Sequence, residues 1–410
     1  MLSRRNILAA TAAAAAAKVG TRQAKAAKSA ADVKIDPFDQ TETQKKLHVA
    51  RFAKLDQESL MSFAEGFKRI NATDLSDRDA RRNYGDFLIS KGLPTGDTDL
   101  GYEECFNIML ENPSFAAKIR LNRSAQALMW DRAFRAFHGD ADKYLTLMEE
   151  TDNAGPGSLE LNPDMKLPDY TIHEIHAQPG GYVGDPFAGW VYHWALTQAF
   201  YQGRSDYDQA HLAIAQSCPK PADGEVHRIL DMGCGSGLST TAYKERFPNA
   251  EVWGIDVGGP MVRYAHHEAV NKNLDVHFAQ RLAEDTKFPD GYFDIVSDYI
   301  MFHEVPADVA KEIVPEIYRI LRPGGMFNHV DIVTKGHPNQ RPGSFLTRVP
   351  RTIVSKARSW ENHRHNIEPW SLEYTHSDFP GLLRSTGFEV DLTTITNSRG
   401  FPPVVGFKPA

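Results

Sequence analysis

Arg228-Ile229-Leu230-Asp231-Met232-Gly233-Cys234-Gly235-Ser236-Gly237-Leu238-Ser239-Thr240 reads as a buried strand, a glycine-rich turn and the first residues of a helix. An apolar run ending in an acid suits a parallel strand covered on both faces. Three glycines at alternate positions permit a sharp turn and let a ligand approach the backbone with no Cβ in the way. A dinucleotide site wants G-x-G-x-x-G, and counting from Gly233 and Gly235 the third glycine would fall at Leu238. It falls at Gly237 instead, and Asp231 stands just ahead of the turn. No Gly-Lys-Ser/Thr ending follows, which argues against a phosphate-cradling P-loop. Alone, such a turn is also compatible with simple packing of a helix on a strand.

Downstream residues narrow the choice. Glu251-Val252-Trp253-Gly254-Ile255-Asp256 is a second short strand closed by a carboxylate, roughly 20 residues on, where a ribose-binding acid belongs. A carboxylate there can accept hydrogen bonds from both ribose hydroxyls. Asp256 to Ala265 follows, with Met261 within it, then Leu282-Ala283-Glu284-Asp285, Phe288-Pro289-Asp290-Gly291 and Phe293-Asp294, and finally Tyr318-Arg319-Ile320-Leu321-Arg322-Pro323-Gly324-Gly325. These segments, in this order, resemble motif I, the segment after it, and the fourth- and fifth-strand motifs of the class I S-adenosyl-L-methionine (SAM)-dependent methyltransferases. The resemblance is nearest to the small-molecule methyltransferases of the ubiquinone/menaquinone-biosynthesis type and covers roughly residues 170–405.

The resemblance implies an α/β fold with a seven-stranded, mostly parallel, Rossmann-like sheet and SAM as cofactor. It implies that Asp231 serves the amino group of the methionine moiety, with Gly233, Gly235 and Gly237 seating that end and Asp256 taking the ribose. Val257, Met261, Ala283, Glu284 and Tyr299 complete the implied cofactor set, Met261 leaning on adenine. One departure stands out: Leu282 occupies the place of an aspartate that normally receives the adenine amino group, so Glu284 or backbone must supply that contact.

At 410 residues and 41% hydrophobic, the chain can bury two ordinary cores. A formal charge of −7 speaks against nucleic acid as the main partner. Nothing in the sequence approaches a transmembrane span. Cys105, Cys218 and Cys234 lie far apart, with no metal spacing and no disulfide framework. The opening Met1-Leu2-Ser3-Arg4-Arg5-Asn6-Ile7-Leu8, followed by an alanine run, resembles a twin-arginine export signal over residues 1–30. Cleavage after Ala26 would remove five cations and no acid, taking the charge to about −12. A periplasmic location follows, with a cytoplasmic one as the alternative, because SAM is made in the cytoplasm.

Residues 36–153 show helical periodicity over Lys45–Ile70, Ser76–Leu88, Asn112–Phe137 and Asp140–Glu150. They are expected to form an accessory helical domain that packs on the catalytic part, supports a homodimer or covers the substrate. Residues 154–170, rich in Gly, Pro, Asn and Asp, read as a linker, and 171–410 as the catalytic domain. Within it, a glycine-hinged loop bearing Tyr182 is a candidate cover for the cofactor mouth. His173 and His176 are spaced to share a metal on a helix, but no third ligand is evident, so structural roles are preferred and no metal is expected. His303 and Glu304 follow the fourth strand, where ligands lie in an open parallel sheet, and either can take a proton from an acceptor. A helix N-terminal contact by Glu304 is the plain alternative.

The long stretch after the fifth strand mixes cations, histidines and aromatics, and Tyr374 and His376 are the substrate-side candidates. A solvated basic face explains the arginines equally well. Two functions from different classes remain: methyl transfer to the oxygen, carbon or nitrogen of a small-molecule acceptor, or a non-catalytic exported protein that binds SAM. A nicotinamide oxidoreductase is a distant third.

Overall fold

Parallel strands stacked edge to edge organise the chain around its glycine turn. The computed structural model describes residues 54–73, 78–195, 207–335, 337, 349–393 and 403–410, so the twin-arginine segment lies outside the described residues. Among the described residues five helices come first: α1 Leu55–Thr73, α2 Arg78–Ser90, α3 Tyr102–Leu110, α4 Pro113–Gly139 and α5 Ala141–Thr151. Helix α4 starts where Asn112 accepts hydrogen bonds from the Ser114 and Phe115 amides, with Pro113 in the first turn. Helix α3 was not expected from the sequence; at 9 residues it is too short for a clear periodic signal.

Strand β1 is Ser158–Glu160, helix α6 Ala188–Ala195 and α7 Tyr207–Ser217. Strand β2 (Arg228–Met232), helix α8 (Leu238–Arg246), strand β3 (Glu251–Asp256), helix α9 (Gly259–Asn271) and strand β4 (His277–Gln280) then alternate. Strand β5 (Phe293–Tyr299), helix α10 (Ala307–Ile320) and strand β6 (Leu321–Val330) follow. The chain closes with α11 Ile353–His365, α12 Ser371–His376, α13 Phe379–Thr386, β7 Glu389–Asp391 and β8 Pro403–Phe407.

The sheet order is β1-β4-β3-β2-β5-β6-β8-β7. From β1 to β6 every pairing is parallel, and β8 runs antiparallel to both β6 and β7. The sheet is thus of the expected α/β, mostly parallel kind, but it has eight strands among the described residues where seven were expected. The extra strand is β1, which pairs Leu159 with Phe278 inside the presumed linker. Three residues in a turn-rich stretch carry no readable alternation, and only the waiting edge of β4 makes them a strand. Ile229, Leu230 and Met232 are fully buried, as a strand covered on both faces requires. On α10, Ala310, Ile313, Val314, Ile317 and Ile320 fall on one helical face and pack on that sheet. The Pro323-Gly324-Gly325 turn proves to be an irregularity within β6, between the pairings of Phe293 with Leu321 and Ile295 with Met326.

The N-terminal helices do not form a body apart. Met129, Trp130, Phe137, Tyr144 and Met148 share one core with Trp190 and Trp194 of α6, Leu238 of α8 and Tyr264 of α9. A second core joins Tyr84, Leu88, Cys105, Phe106 and Met109 to Ile353 and Ala357 of α11. The buried apolar residues of these helices thus face the sheet half of the chain, while Leu55, Phe63 and Ile89 stay exposed. The long connection after β6 is partly spent on the same contact: Lys356 donates to the Thr98 and Leu100 carbonyls, and Arg123 of α4 grips Glu361 at 2.9 and 2.7 Å. Among the described residues no helix is long and apolar enough to cross a membrane.

Helices α5 and α9 are also joined by polar contacts. Arg263 holds Asp152 through two bonds of 2.8 and 2.6 Å. His267 lies between Thr151 Oγ1 and Asn271 Nδ2, 3.0 Å from each. Because the Thr151 hydroxyl donates to backbone carbonyls, the imidazole donates from Nδ1 and accepts at Nε2, a neutral tautomer. Burial pulls the His267 pKa down to about 4. The folded state resists a proton that the unfolded chain takes up near pH 6.5, so stability falls as pH drops from about 6.5 towards about 4. The loss approaches ~3 kcal/mol. Denaturant midpoints measured across this range should fall for the natural chain and fall less for His267→Gln; equal slopes would contradict the assignment.

Candidate active site

A cavity lies beyond the carboxyl ends of β2, β3 and β5, where the order of connections reverses and open α/β sheets place their ligands. Its empty space, open mouth included, comes to about 990 Å³. One wall is the glycine turn and the end of β3. Gly235 adopts a positive φ of 51°, and a Cβ there would meet only the Met261 methyl, at 3.8 Å, so its missing side chain leaves room for a ligand against bare backbone. Gly237 differs. Its φ is 78°, and a Cβ would stand 2.7 Å from that of Ala265, so this glycine lets α8 pack on α9 and does not reach the cavity.

Asp256 ties the wall together. Its Oδ2 accepts the Gly235 N–H at 2.9 Å and its Oδ1 the Gly258 N–H at 2.8 Å. Burial raises its pKa against the pull of these two amides, and each oxygen keeps a lone pair for a further donor. Asp231 faces the other way. Its Oδ2 accepts the Ser239 and Thr240 hydroxyls at 2.9 and 2.6 Å, and the residue is not among those lining the cavity.

Gly233, Val257, Met261, Ala283 and Tyr299 line the cavity together with Gly235 and Asp256. Glu284 does not. Both its oxygens accept from the Tyr170 hydroxyl, at 2.8 and 2.9 Å, and it is the Tyr170 ring that faces inward. Tyr170, Thr171 and Ile175, from the presumed linker and the segment after it, form the opposite wall with Tyr182, Val183 and Tyr192. Tyr182 thus sits where a cover would.

The floor is polar. His303 Nδ1–H donates to Asp331 Oδ1 at 2.6 Å, its backbone amide donates to Asp331 Oδ2, and its Nε2 stands 3.3 Å from Glu304 Oε1. Burial would lower the His303 pKa, but the Asp331 and Glu304 carboxylates outweigh it and hold the imidazole well above its ordinary value. His173 and His176 do not share a ligand point: the His173 ring packs edge-on against Trp370, 5.1 Å between centroids. His176 instead brings Nε2 to 3.4 Å from Glu368 Oε1 and 3.6 Å from Glu304 Oε1, while its Nδ1 is hydrogen-bonded to the Tyr182 hydroxyl at 2.7 Å. Its backbone is left-handed, with φ 57°, and its carbonyl is held by Gln126 and Trp130 of α4, both at 2.7 Å.

Tyr374 and His376 are not among the cavity's lining residues. The Tyr374 hydroxyl donates to His329 Nε2 at 2.6 Å, and His329 Nδ1–H donates to Asp298 at 2.8 Å, a chain buried between sheet and α12. His376 lies outward, bonded to the Tyr102 hydroxyl at 2.6 Å. Aromatic and polar composition marked both, but in a six-residue helix only one face can look inward, and that face is spent on His329. Asp331, Glu368 and Tyr170 escaped notice because nothing in their local pattern points to a site; folding alone brings them there.

Residues 229–325 match the family described as "Methyltransferase domain". Among curated proteins, the chain is 42% identical to a demethylmenaquinone methyltransferase of Thermus thermophilus over 98 residues, covering 24% of this chain and 44% of that enzyme. It is 31% identical to a ubiquinone/menaquinone biosynthesis C-methyltransferase of Cupriavidus taiwanensis over 113 residues, 27% of this chain and 44% of the other. These matches span less than half the length of either relative. Among solved structures, a SAM-dependent methyltransferase from Aquifex aeolicus superposes with a TM-score of 0.34 at 18% identity, over 50% of this chain and 92% of that one.

Burial lifts the Asp231 pKa to about 7 against the two hydroxyls that it accepts from. The folded state therefore keeps a proton that the unfolded chain releases near pH 4, and ionising the carboxyl costs stability as pH rises from about 4 to about 7. Asp231→Asn keeps an acceptor for Ser239 and Thr240 and lacks this titration. Its denaturation midpoint should gain on the natural chain over that interval and run parallel above it; a constant gap from pH 4 to 7 would refute this.

Proposed function

We propose that the chain is a SAM-dependent methyltransferase acting on a small, largely apolar acceptor that carries one polar reacting atom. The observation that carries this reading is the meeting of Gly235, Asp256 and Met261 on one wall of a cavity at the switch point of the sheet. The wall fits the cofactor: bare backbone at Gly235 admits a ligand, and Asp256 retains acceptor capacity for ribose hydroxyls. Gly233 and Gly235 would hold the methionine end and Met261 and Ala283 the adenine. Asp231, set behind the turn, would act by fixing the start of α8. When bound, the cofactor supplies an activated methyl on a sulfonium whose departure as a neutral thioether needs little help.

The protein's task is then alignment and exclusion of water. Tyr170, Tyr182, Tyr192, Ile175 and Val183 offer an apolar, aromatic wall to the acceptor. At the polar floor, His303 is kept charged between two carboxylates, so Glu304 is the group able to take a proton from an acceptor hydroxyl. Relatives named for quinone biosynthesis support an aromatic, lipid-like acceptor. Leu282 and the twin-arginine pattern favour the second reading, an exported protein that binds SAM without turnover. Export itself is proposed on residues 1–30 alone, and N-terminal sequencing of the periplasmic protein should find a start near Ala27; a protein with intact Met1 confined to the cytoplasmic fraction would refute it.

Isothermal titration with SAM should show one site. Asp256→Ala should weaken it by at least about tenfold, since a ribose hydroxyl loses a charged acceptor. Unchanged affinity would sink the assignment. Where SAM binds, methyl transfer to quinol and phenol acceptors separates enzyme from binding protein, and Glu304→Gln should lower kcat by about a hundredfold.

A further inference from the structure

We propose that His176, Glu304 and Glu368 form a divalent-metal site on the acceptor side of the cavity, suited to a borderline transition ion such as Zn²⁺ or Mn²⁺. The three come from separate segments: the cover loop, the turn after β5 and the loop between α11 and α12. Their ligand atoms all lie within 4.8 Å of one another. His176 Nε2 stands 3.4 and 3.6 Å from the two carboxylates. A charge-assisted hydrogen bond would draw such atoms to about 2.7–2.9 Å. Two atoms bound at about 2.1 Å to a common ion stand roughly 3.0–3.4 Å apart, at octahedral and tetrahedral angles. The spacing is thus closer to that of a shared ion than to that of a direct ion pair.

Glu304 supplies the second observation. Both its carboxylate oxygens are shut off from water, and neither accepts a hydrogen bond. The charged His303 imidazole stands 3.3 Å from Oε1, so it is Oε2 that is left with no partner and open to a further cation or a proton. The remaining groups are braced from behind, as metal ligands are. Tyr182 holds His176 Nδ1, and the Asn362 and Asn366 amides donate to the two oxygens of Glu368. The left-handed backbone at His176, pinned by Gln126 and Trp130, places the imidazole at this point against a local preference. One nitrogen and two carboxylates favour a transition ion over magnesium or calcium, which prefer all-oxygen shells.

Ion binding stands independently of the methyl-transfer reading; the role that follows rests on it. An acceptor hydroxyl bound to the ion would lose its proton to solvent at neutral pH. Glu304 would then hold the ion instead of taking the proton.

The full-length protein, stripped with EDTA and dialysed, is titrated calorimetrically with ZnCl2, MnCl2 and MgCl2 in turn. One equivalent of Zn²⁺ should bind at least about a hundredfold tighter than Mg²⁺. Glu368→Gln, which keeps the side chain's size, and His176→Ala should each weaken Zn²⁺ by about tenfold or more, while His173→Ala should not. Absence of stoichiometric Zn²⁺ binding, or binding at natural affinity in both variants, overturns the site. Circular dichroism checks folding. If His176→Ala does not fold, the visible Co²⁺ spectrum of the natural protein decides: bands that Glu368→Gln leaves unshifted refute the assignment. A parallel SAM titration in EDTA separates the two readings, since SAM binding without ion binding removes only the metal site, and ion binding without SAM removes only the methyl-transfer role.

Discussion

One carboxylate holds the crevice open in the right shape. Asp256 ends β3 and accepts the amides of Gly235 and Gly258, so the turn after β2 and the start of α9 are fastened to the same side chain. Parallel strands deliver both loops to one edge of the sheet, but nothing in a parallel ladder fixes how far apart the loops stand. Two charge-assisted bonds do so here. Met261 then falls beside Gly235 on the same wall of the cavity.

The opposite wall is assembled differently. It comes from a loop with left-handed residues at His176 and Ala177, which no local preference would hold. The N-terminal helices hold it. Gln126 and Trp130 of α4 reach the His176 carbonyl, and Trp130 belongs to the core that α4 and α5 share with α6 and α9. The helices therefore serve the site as a buttress, and α11 is clamped to them through Arg123 and Glu361 while the loop that follows it delivers Glu368.

Electrostatics follow from that convergence. Asp331, Glu304 and Glu368 surround two imidazoles in a place that water barely reaches, so each group's charge depends on its neighbours. Next to them, Tyr374, His329 and Asp298 form a buried chain in which burial lifts Asp298 to about 6. Polar groups this deep are costly unless paired, and their pairing fixes the register of β5 against β6 and α12.

Read without a structure, the chain already declared the alternation of strands and helices from β2 to β6 and the residues of the glycine turn, because each depends on neighbours within a few positions. An apolar run, a glycine spacing and a carboxylate at a strand end are local facts, and Gly233, Gly235, Asp256, Met261, Ala283 and Tyr299 line the cavity that such facts point to. Glu284, Tyr374 and His376 show the limit, since sequence places a side chain near a site without saying which way it turns. Strand β1, the buttress under His176 and the meeting of His176 with Glu304 and Glu368 were decided by tertiary structure alone. They join residues up to 192 positions apart in the chain, and only the packed core, through the geometry of its long-range contacts, brings such groups within bonding distance.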